Sequence, residues 1–295
     1  MSNSSKYTID EHFLSRMYLK GFSEVKGSGN KEKAFVWQYN LKTMQQTPTQ
    51  VNISRICFEK NLYEIRDKEG AFVARNTIEK SFEKIESQVN TAFEAIKRRT
   101  QDENCMNCTT FFTDEEKSLL TLFITSLMYR DPTTIERGIS YLKENNPEIT
   151  YDQARNFTLL NLLPLGIDQE WDQNTIIRTA IENLSGMAFQ LGLAQSDVIF
   201  TTERPFVMWP SPNPEFPNRP KALVFPFTSK LVLYMYPIED VDPIGRNYFF
   251  QMDEGQIQQV QENVAICAKE WLYSREKLTK QQQEVVKEAR KNLSK

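Results

Sequence analysis

A chain of 295 residues with 40% hydrophobic and 25% charged side chains has the makeup of a folded globular protein, which excludes an intrinsically disordered one. Thirty-six Lys and Arg against 39 Asp and Glu leave a net charge of -3, so no overall field draws the molecule to nucleic acid or anionic lipid, and any such binding rests on a local patch. The polar start MSNSSKYTIDEH lacks the apolar core of a secretory signal and the longest apolar runs, such as SLLTLFITSLMY, are too short to cross a bilayer, which predicts a cytoplasmic protein with no membrane partner.

Along the chain, DEHFLSRMYLKGF at 10–22 reads as a helix with Asp10 as its cap, Glu11 at its positive end and His12, the only histidine, in its first turn. The runs AFVWQYN and VNISRICFEKNLYEI are rich in aromatic and β-branched residues, alternate in polarity and are separated by TPTQ, the pattern of an antiparallel meander. From 76 to 100 the period changes: Ile78, Phe82, Ile85, Val89, Phe93 and Ile96 fall at steps of three and four, one apolar stripe on a helix. That helix closes on Lys97, Arg98 and Arg99, which complement its negative end. A polar linker at 101–110 carries the lone pair Cys105-Met-Asn-Cys108. A zinc site there would need two more ligands from Cys57, Cys267 and His12, all distant in sequence, so an exposed loop with free thiols is expected.

Thr113 followed by Glu116 is a capping box for DEEKSLLTLFITSLMYR, apolar round most of its circumference and therefore a central core helix, stopped at Asp131-Pro132. Further helices are predicted at 133–144, 150–163 and 173–193. Strand chemistry returns in SDVIFTTERPFVMW and ALVFPFTSKLVLYMYPI, which flank the proline-rich surface loop PSPNPEFPNRP. Two helices, 253–275 and 279–292, end the chain. The class expected is α+β, mostly helical, with a small antiparallel sheet built from N-terminal and C-terminal strand segments. One domain spans 1–295, with strand-rich stretches at 30–66 and 197–238 and helical stretches at 76–193 and 253–293 as candidate lobes.

HFLSRMYLKGFS, ISRICFEKNLYEI, TIEKSFEKIES, FITSLMYRDP, VIFTTERPFV, FPFTSKLVL and NVAICAKEWLYS follow one another in that order. Each is short, but the ordered set resembles the bacterial family labelled domain of unknown function 4238 over most of the chain. The resemblance implies no established activity. It implies a marked histidine at His12, glutamates at Glu79 and Glu86, a helix-ending arginine at Arg130 and an acid at Glu203. Three positions depart from the family pattern: Ser15 stands where proline is common, Glu203 where aspartate is, and Arg204 where asparagine is.

The residue chemistry can be read two ways at each of these positions. Glu79 and Glu86, seven apart, share a helix face at about 10 Å along the axis, with Glu83 between them; Lys80 and Lys84 also make ordinary solvated ion pairs available. His12 beside Asp10 and Glu11 is either a proton carrier or a packed polar residue. Arg130, emerging from an apolar helix, is either a clamp for a ligand or an internal strut. No Walker loop, GxGxxG, HExxH or GxSxG is present, so P-loop hydrolysis, Rossmann dehydrogenation, zincin proteolysis and α/β-hydrolase catalysis have no support.

Two functions follow as alternatives. One is a phosphodiester hydrolase, a nuclease of bacterial defence or conflict. In it His12 is base or ligand, Glu79, Glu86 and Glu203 hold Mg²⁺ or position water, Arg130 stabilises phosphate charge, and nucleic acid is met by basic patches at 97–99 and in the last helix. The other is a non-enzymatic binding or sensor module in which Phe206, Trp209 and Phe216 of the stiff proline-rich loop contact a partner.

Overall fold

The computed structural model describes residues 7–73, 75–162, 175–209 and 220–292. The N-terminal part runs β1 (Asp10–His12), α1 (Arg16–Lys20), β2 (Glu24–Lys26), β3 (Lys33–Asn40), β4 (Gln45–Gln46), β5 (Val51–Asn52), β6 (Phe58–Lys60), β7 (Ile65–Arg66) and β8 (Phe72–Val73). A helical middle follows: α2 (Thr77–Arg99), α3 (Asp114–Arg130), α4 (Pro132–Asn145), α5 (Tyr151–Leu160) and α6 (Thr175–Ser185). Then come β9 (Met187–Leu193), β10 (Thr201–Thr202), β11 (Val207–Trp209), β12 (Ala222–Pro226), β13 (Leu231–Pro237), β14 (Asn247–Gln251), α7 (Glu254–Cys267), β15 (Trp271–Ser274) and α8 (Lys280–Asn292).

The expected single small antiparallel sheet is overturned. Among the described residues there are four sheets, one of six strands and one of five. In the six-stranded sheet β3 is central: β15 runs antiparallel to its second half with β10 beyond, β4 also pairs with Tyr39 and Asn40, and β2 and β5 pair with its first half. The five-stranded sheet has the order β11-β12-β13-β9-β14, and its β9/β14 pair is parallel.

Two of the predicted helices end earlier than expected, each giving way to a strand. Residues 187–193 form β9, an inner strand between β13 and β14, and not the end of a helix from 173; MAFQLGL is covered on both faces, so it lacks the alternation that marks a half-exposed strand. Residues 271–274 are β15 and not the end of a helix from 253, because α7 stops where Ala268 turns extended. The proline-rich loop at 210–219, including Phe216, lies outside the described residues, and Phe206 and Trp209 beside it pack partly on the core.

The helical core follows its sequence signals. All six stripe residues of α2 are buried, each worth roughly 1.5–3 kcal/mol relative to exposure. The capping box of α3 forms, with the Glu116 N–H donating to Thr113 Oγ1 at 3.1 Å and the Thr113 N–H to Glu116 Oε2 at 2.9 Å. Asp131 ends α3 in extended backbone and caps α4 by accepting from the Thr134 N–H at 3.0 Å. Rings from α1, α2, α3 and the five-stranded sheet interlock, as in Phe93 on Phe227 at 4.1 Å and Phe111 on Phe249 at 4.7 Å. Packing of this kind holds β1, α1, α2 and the end of α3 in fixed relation. No described helix is long and apolar enough to cross a membrane.

Candidate functional site

His12 is not in a helix, and Asp10 is not a helix cap. Residues 10–12 form β1, antiparallel to β6, with His12 opposite Phe58, and the helix behind them is capped by Ser15. Alternation along a strand turns Glu11 into the core, where it is fully buried, and leaves its neighbours Asp10 and His12 on the other side.

Of the predicted side chains, Glu86 contacts Arg130 at the end of α3, and Glu79 and His12 lie within reach of its charge. Arg130 is 1% exposed; its Nε–H donates to the Phe13 carbonyl at 2.9 Å, and an Nη1–H donates to Glu86 Oε1 at 2.8 Å. The Tyr63 hydroxyl donates to the Arg130 carbonyl at 3.0 Å, and the guanidinium lies 5.1 Å from the centre of the Phe82 ring. Glu79, two turns before Glu86, faces the same charge, yet its Oε2 and Arg130 Nη2 are buried with no protein hydrogen-bond partner. Burial outweighs the attraction of Arg130 and, with repulsion from Glu11 and Glu86, raises the Glu79 carboxyl to about 7. His12 is moved the other way: burial, then Arg16 and Arg130, lower its imidazole to about 4 against a smaller opposing effect of Glu86.

Glu203 does not join this group. Its Oε1 accepts from the Glu270 and Trp271 N–H groups at 2.9 and 2.6 Å, and its Oε2 from the Thr202 hydroxyl at 2.5 Å. It therefore fastens the start of β15 to β10. Arg204 beside it pairs with Asp131 at 2.9 Å. With Glu203 committed to backbone and Glu86 to Arg130, the predicted set of Glu79, Glu86 and Glu203 does not fit a shared Mg²⁺. No group of three or more His, Cys, Asp or Glu among the described residues is placed to hold a metal ion.

A layer the sequence did not reveal supports the cluster. Glu11 Oε2 accepts from the Tyr63 N–H at 2.8 Å, and Glu64 Oε1 accepts from the backbone and side-chain amides of Asn76, both at 3.1 Å. Asn76 begins α2 at φ 56°. Arg155 of α5 donates to the carbonyls of Asn61, Leu62 and Glu64 at 3.1, 2.8 and 2.6 Å. Burial, tempered by the Tyr63 N–H, lifts Glu11 to about 7. The one available signal was the alternation of Asp10-Glu11-His12, which is equally the start of a helix.

Of the cluster, Glu86 reaches open solvent. It lines a cleft of about 620 Å³ between α1, the 52–54 segment and α2, whose walls carry Arg16, Lys20 and Lys33 as well as Glu32 and Glu83. Arg16, Lys20 and Lys33 make no ion pair among the described residues. Lys20 also lines a second cleft of about 380 Å³, where it joins Lys97, Lys230 and Arg275 around a single carboxylate, Asp197. Asp197 is held by Ser229, with Lys230 and Arg275 at 3.9 and 3.7 Å. Arg275 continues into a third hollow with Trp37 and Lys277, whose ammonium stands 4.5 Å from the Trp37 ring centre.

The model of a family described as protein of unknown function (DUF4238) matches residues 11–278. The chain belongs to this family. No curated protein and no solved structure matches it. The stretches YLKGF and FPFTSKLVL, both within the matched residues, supply Lys20, Gly21 and the 228–231 turn of the second cleft, so two segments far apart in the chain meet at one hollow.

Proposed function

We propose that the protein binds a phosphodiester-containing ligand, nucleic acid, across the two clefts that share Lys20. The observation that carries this reading is the second cleft, where Lys20, Lys97, Lys230 and Arg275 meet one carboxylate, Asp197, which pairs with Lys230 and Arg275, while Lys97 pairs with Glu94 at 2.7 Å and Lys20 makes no ion pair among the described residues. In a molecule of net charge -3 a local excess of cations over carboxylates favours a polyanion there. The basic groups come from α1, the end of α2, the β12–β13 turn and the residue after β15. The patch predicted at 97–99 contributes only Lys97, because Arg99 is committed to Glu116 at 2.8 Å.

The test is fluorescence anisotropy with labelled single-stranded RNA and DNA at graded salt. Binding that weakens as salt rises, and that falls about tenfold in Lys20→Glu and in Arg275→Glu, is expected for phosphate contacts. Absence of binding at low salt, or variants that bind as wild type does, rejects it.

Strand cleavage is a second reading, favoured by one observation: Glu86 of the first cleft and Arg130 act together on a glutamic acid raised to about 7 and on an imidazole lowered to about 4. Groups in one electrostatic environment with pKa values driven in opposite directions suit acid–base chemistry. Arg130 acts in this reading as a strut that sets Glu86, since it is sealed from any ligand. A gel assay of the same oligonucleotides, with and without Mg²⁺, should show cutting by wild type and none by His12→Ala or Glu79→Gln. Intact strands with wild-type protein under all conditions end this version while leaving binding untouched.

A further inference from the structure

The segment between α2 and α3 holds two thiols in a shape suited to bridging. After a single 3₁₀ turn over Glu103–Cys105, Met106 lies at φ -62°, ψ 131° and Asn107 at φ 63°, the central conformations of a type II β-turn. The Cys108 N–H closes that turn by donating to the Cys105 carbonyl at 3.0 Å. The ends of such a turn lie within about 7 Å of each other at Cα, and disulfides span about 4.4–6.8 Å between Cα atoms. Asparagine is among the few residues that accept the left-handed position without glycine.

The turn is also clamped from outside. The Asn107 N–H donates to the Phe249 carbonyl at 2.8 Å and the Phe249 N–H to the Cys108 carbonyl at 3.1 Å, while the Tyr248 hydroxyl donates to Asn107 Oδ1 at 2.8 Å. The turn thus rides on β14 as an added rung. Both cysteines are partly exposed, whereas Cys57 is buried and its thiol is driven far up by desolvation. The two partners also differ. Hydrogen bonds at Thr110 hold the Cys108 thiol below its ordinary value, while burial, Asp102 and Cys108 itself raise that of Cys105. Arg99 favours the thiolate at both.

We propose that Cys105 and Cys108 form a redox-active dithiol that closes to an intramolecular disulfide by exchange with a low-molecular-weight disulfide. The Cys108 thiolate attacks one sulfur of the small disulfide, whose S–S bond breaks and releases one small thiolate. Cys105 gives its proton to solvent and its thiolate attacks Cys108 Sγ, expelling the second small thiolate. The protein loses two electrons and two protons, and the reagent is reduced to two thiols.

The test equilibrates the full chain in graded mixtures of reduced and oxidised glutathione, traps free thiols by alkylation and maps the products by mass spectrometry. Expected is a bridge between Cys105 and Cys108 at ratios that leave Cys57 reduced. Cys105→Ser should stop at a single glutathione adduct on Cys108, and Asn107→Val, which opposes positive φ, should make the bridge about tenfold easier to reduce. Both thiols remaining alkylatable at every ratio, a bridge that includes Cys267, or an Asn107→Val bridge as stable as wild type's would overturn the proposal.

Discussion

The Arg130 guanidinium stands 2.8 Å from the Glu86 carboxylate, with the arginine side chain 1% exposed and the glutamate 24% exposed. The pair therefore reaches from the sealed core to the wall of a cleft, and its two ends have different dependences. Removing the arginine strands a carboxylate that still touches water, but it also frees the Phe13 carbonyl and leaves a void beside Phe82. Arg130→Ala should destabilise the fold by about 3 kcal/mol, the lower end for a broken buried pair, measured by urea denaturation. Glu86→Ala should cost as much or more, because it leaves the sealed cation without its carboxylate; near-equality with wild type in either variant would show that the pair is not a strut.

The pH dependence of stability has a worked direction. For Glu79 and Glu11, folded values of about 7 lie above the ordinary 4.5, so their contribution is fully present below pH 4.5 and is lost as pH rises through 7. For His12, a folded value of about 4 lies below 6.5, so its contribution is present above 6.5 and is lost as pH falls toward 4. Two carboxyls oppose one imidazole in the same window, and the net expectation is falling stability from about pH 4.5 to 7. Glu79→Gln should flatten that slope and gain up to about 3 kcal/mol at pH 8. Thermal melts across pH 4 to 8 that leave the variant parallel to wild type would contradict the assignment.

Glu203 offers a contrast, since its oxygens serve two backbone N–H groups and a hydroxyl. Hydrogen bonds to a charged acceptor are worth about 1.5–3 kcal/mol each, so Glu203→Ala should lower stability by about 3 kcal/mol, and Glu203→Gln, which keeps one acceptor oxygen, by less. Anisotropy titration of the folded variants should return the wild-type affinity for oligonucleotides, because Glu203 lines neither cleft.

Glu116 carries more than a helix cap. Besides the Thr113 N–H it receives both Nη groups of Arg99 at 2.9 and 2.8 Å, tying the end of α2 to the start of α3. Glu116→Ala should cost about 2–4 kcal/mol, above the ~1 kcal/mol of a simple cap loss, whereas Thr113→Ala should cost about 1 kcal/mol. Chemical denaturation of the two single variants distinguishes these roles.

Local signals in the sequence were a good guide wherever one element stated its own limits. The stripe of α2, the capping box of α3 and the Asp131-Pro132 stop depend on neighbours within a few residues, and each is found as expected. Pairing across the chain was not legible. Residues 10–12 become a strand because 58–60 lie beside them, and β9 was hidden because burial on both faces removes the alternation by which strands are recognised. The same split divides the candidate site. Arg130 and Glu86 are in contact and their charges reach His12 and Glu79, while Glu203 is drawn off by backbone donors that no spacing announces. The cations of the second cleft come from four separated segments, and of these Lys97 alone belongs to a run of charge.

The placement of β15 against β3 has a consequence for biosynthesis. Tyr39 lies opposite Leu272 and Asn40 opposite Trp271, so the ribosome must emit more than two hundred further residues before β3 finds this neighbour. At rates of 5–20 residues per second that is a wait of roughly 10–50 s, during which an aromatic strand edge stays open to other chains. The nascent polypeptide is thus expected to depend on chaperone shelter until its final helices leave the exit tunnel.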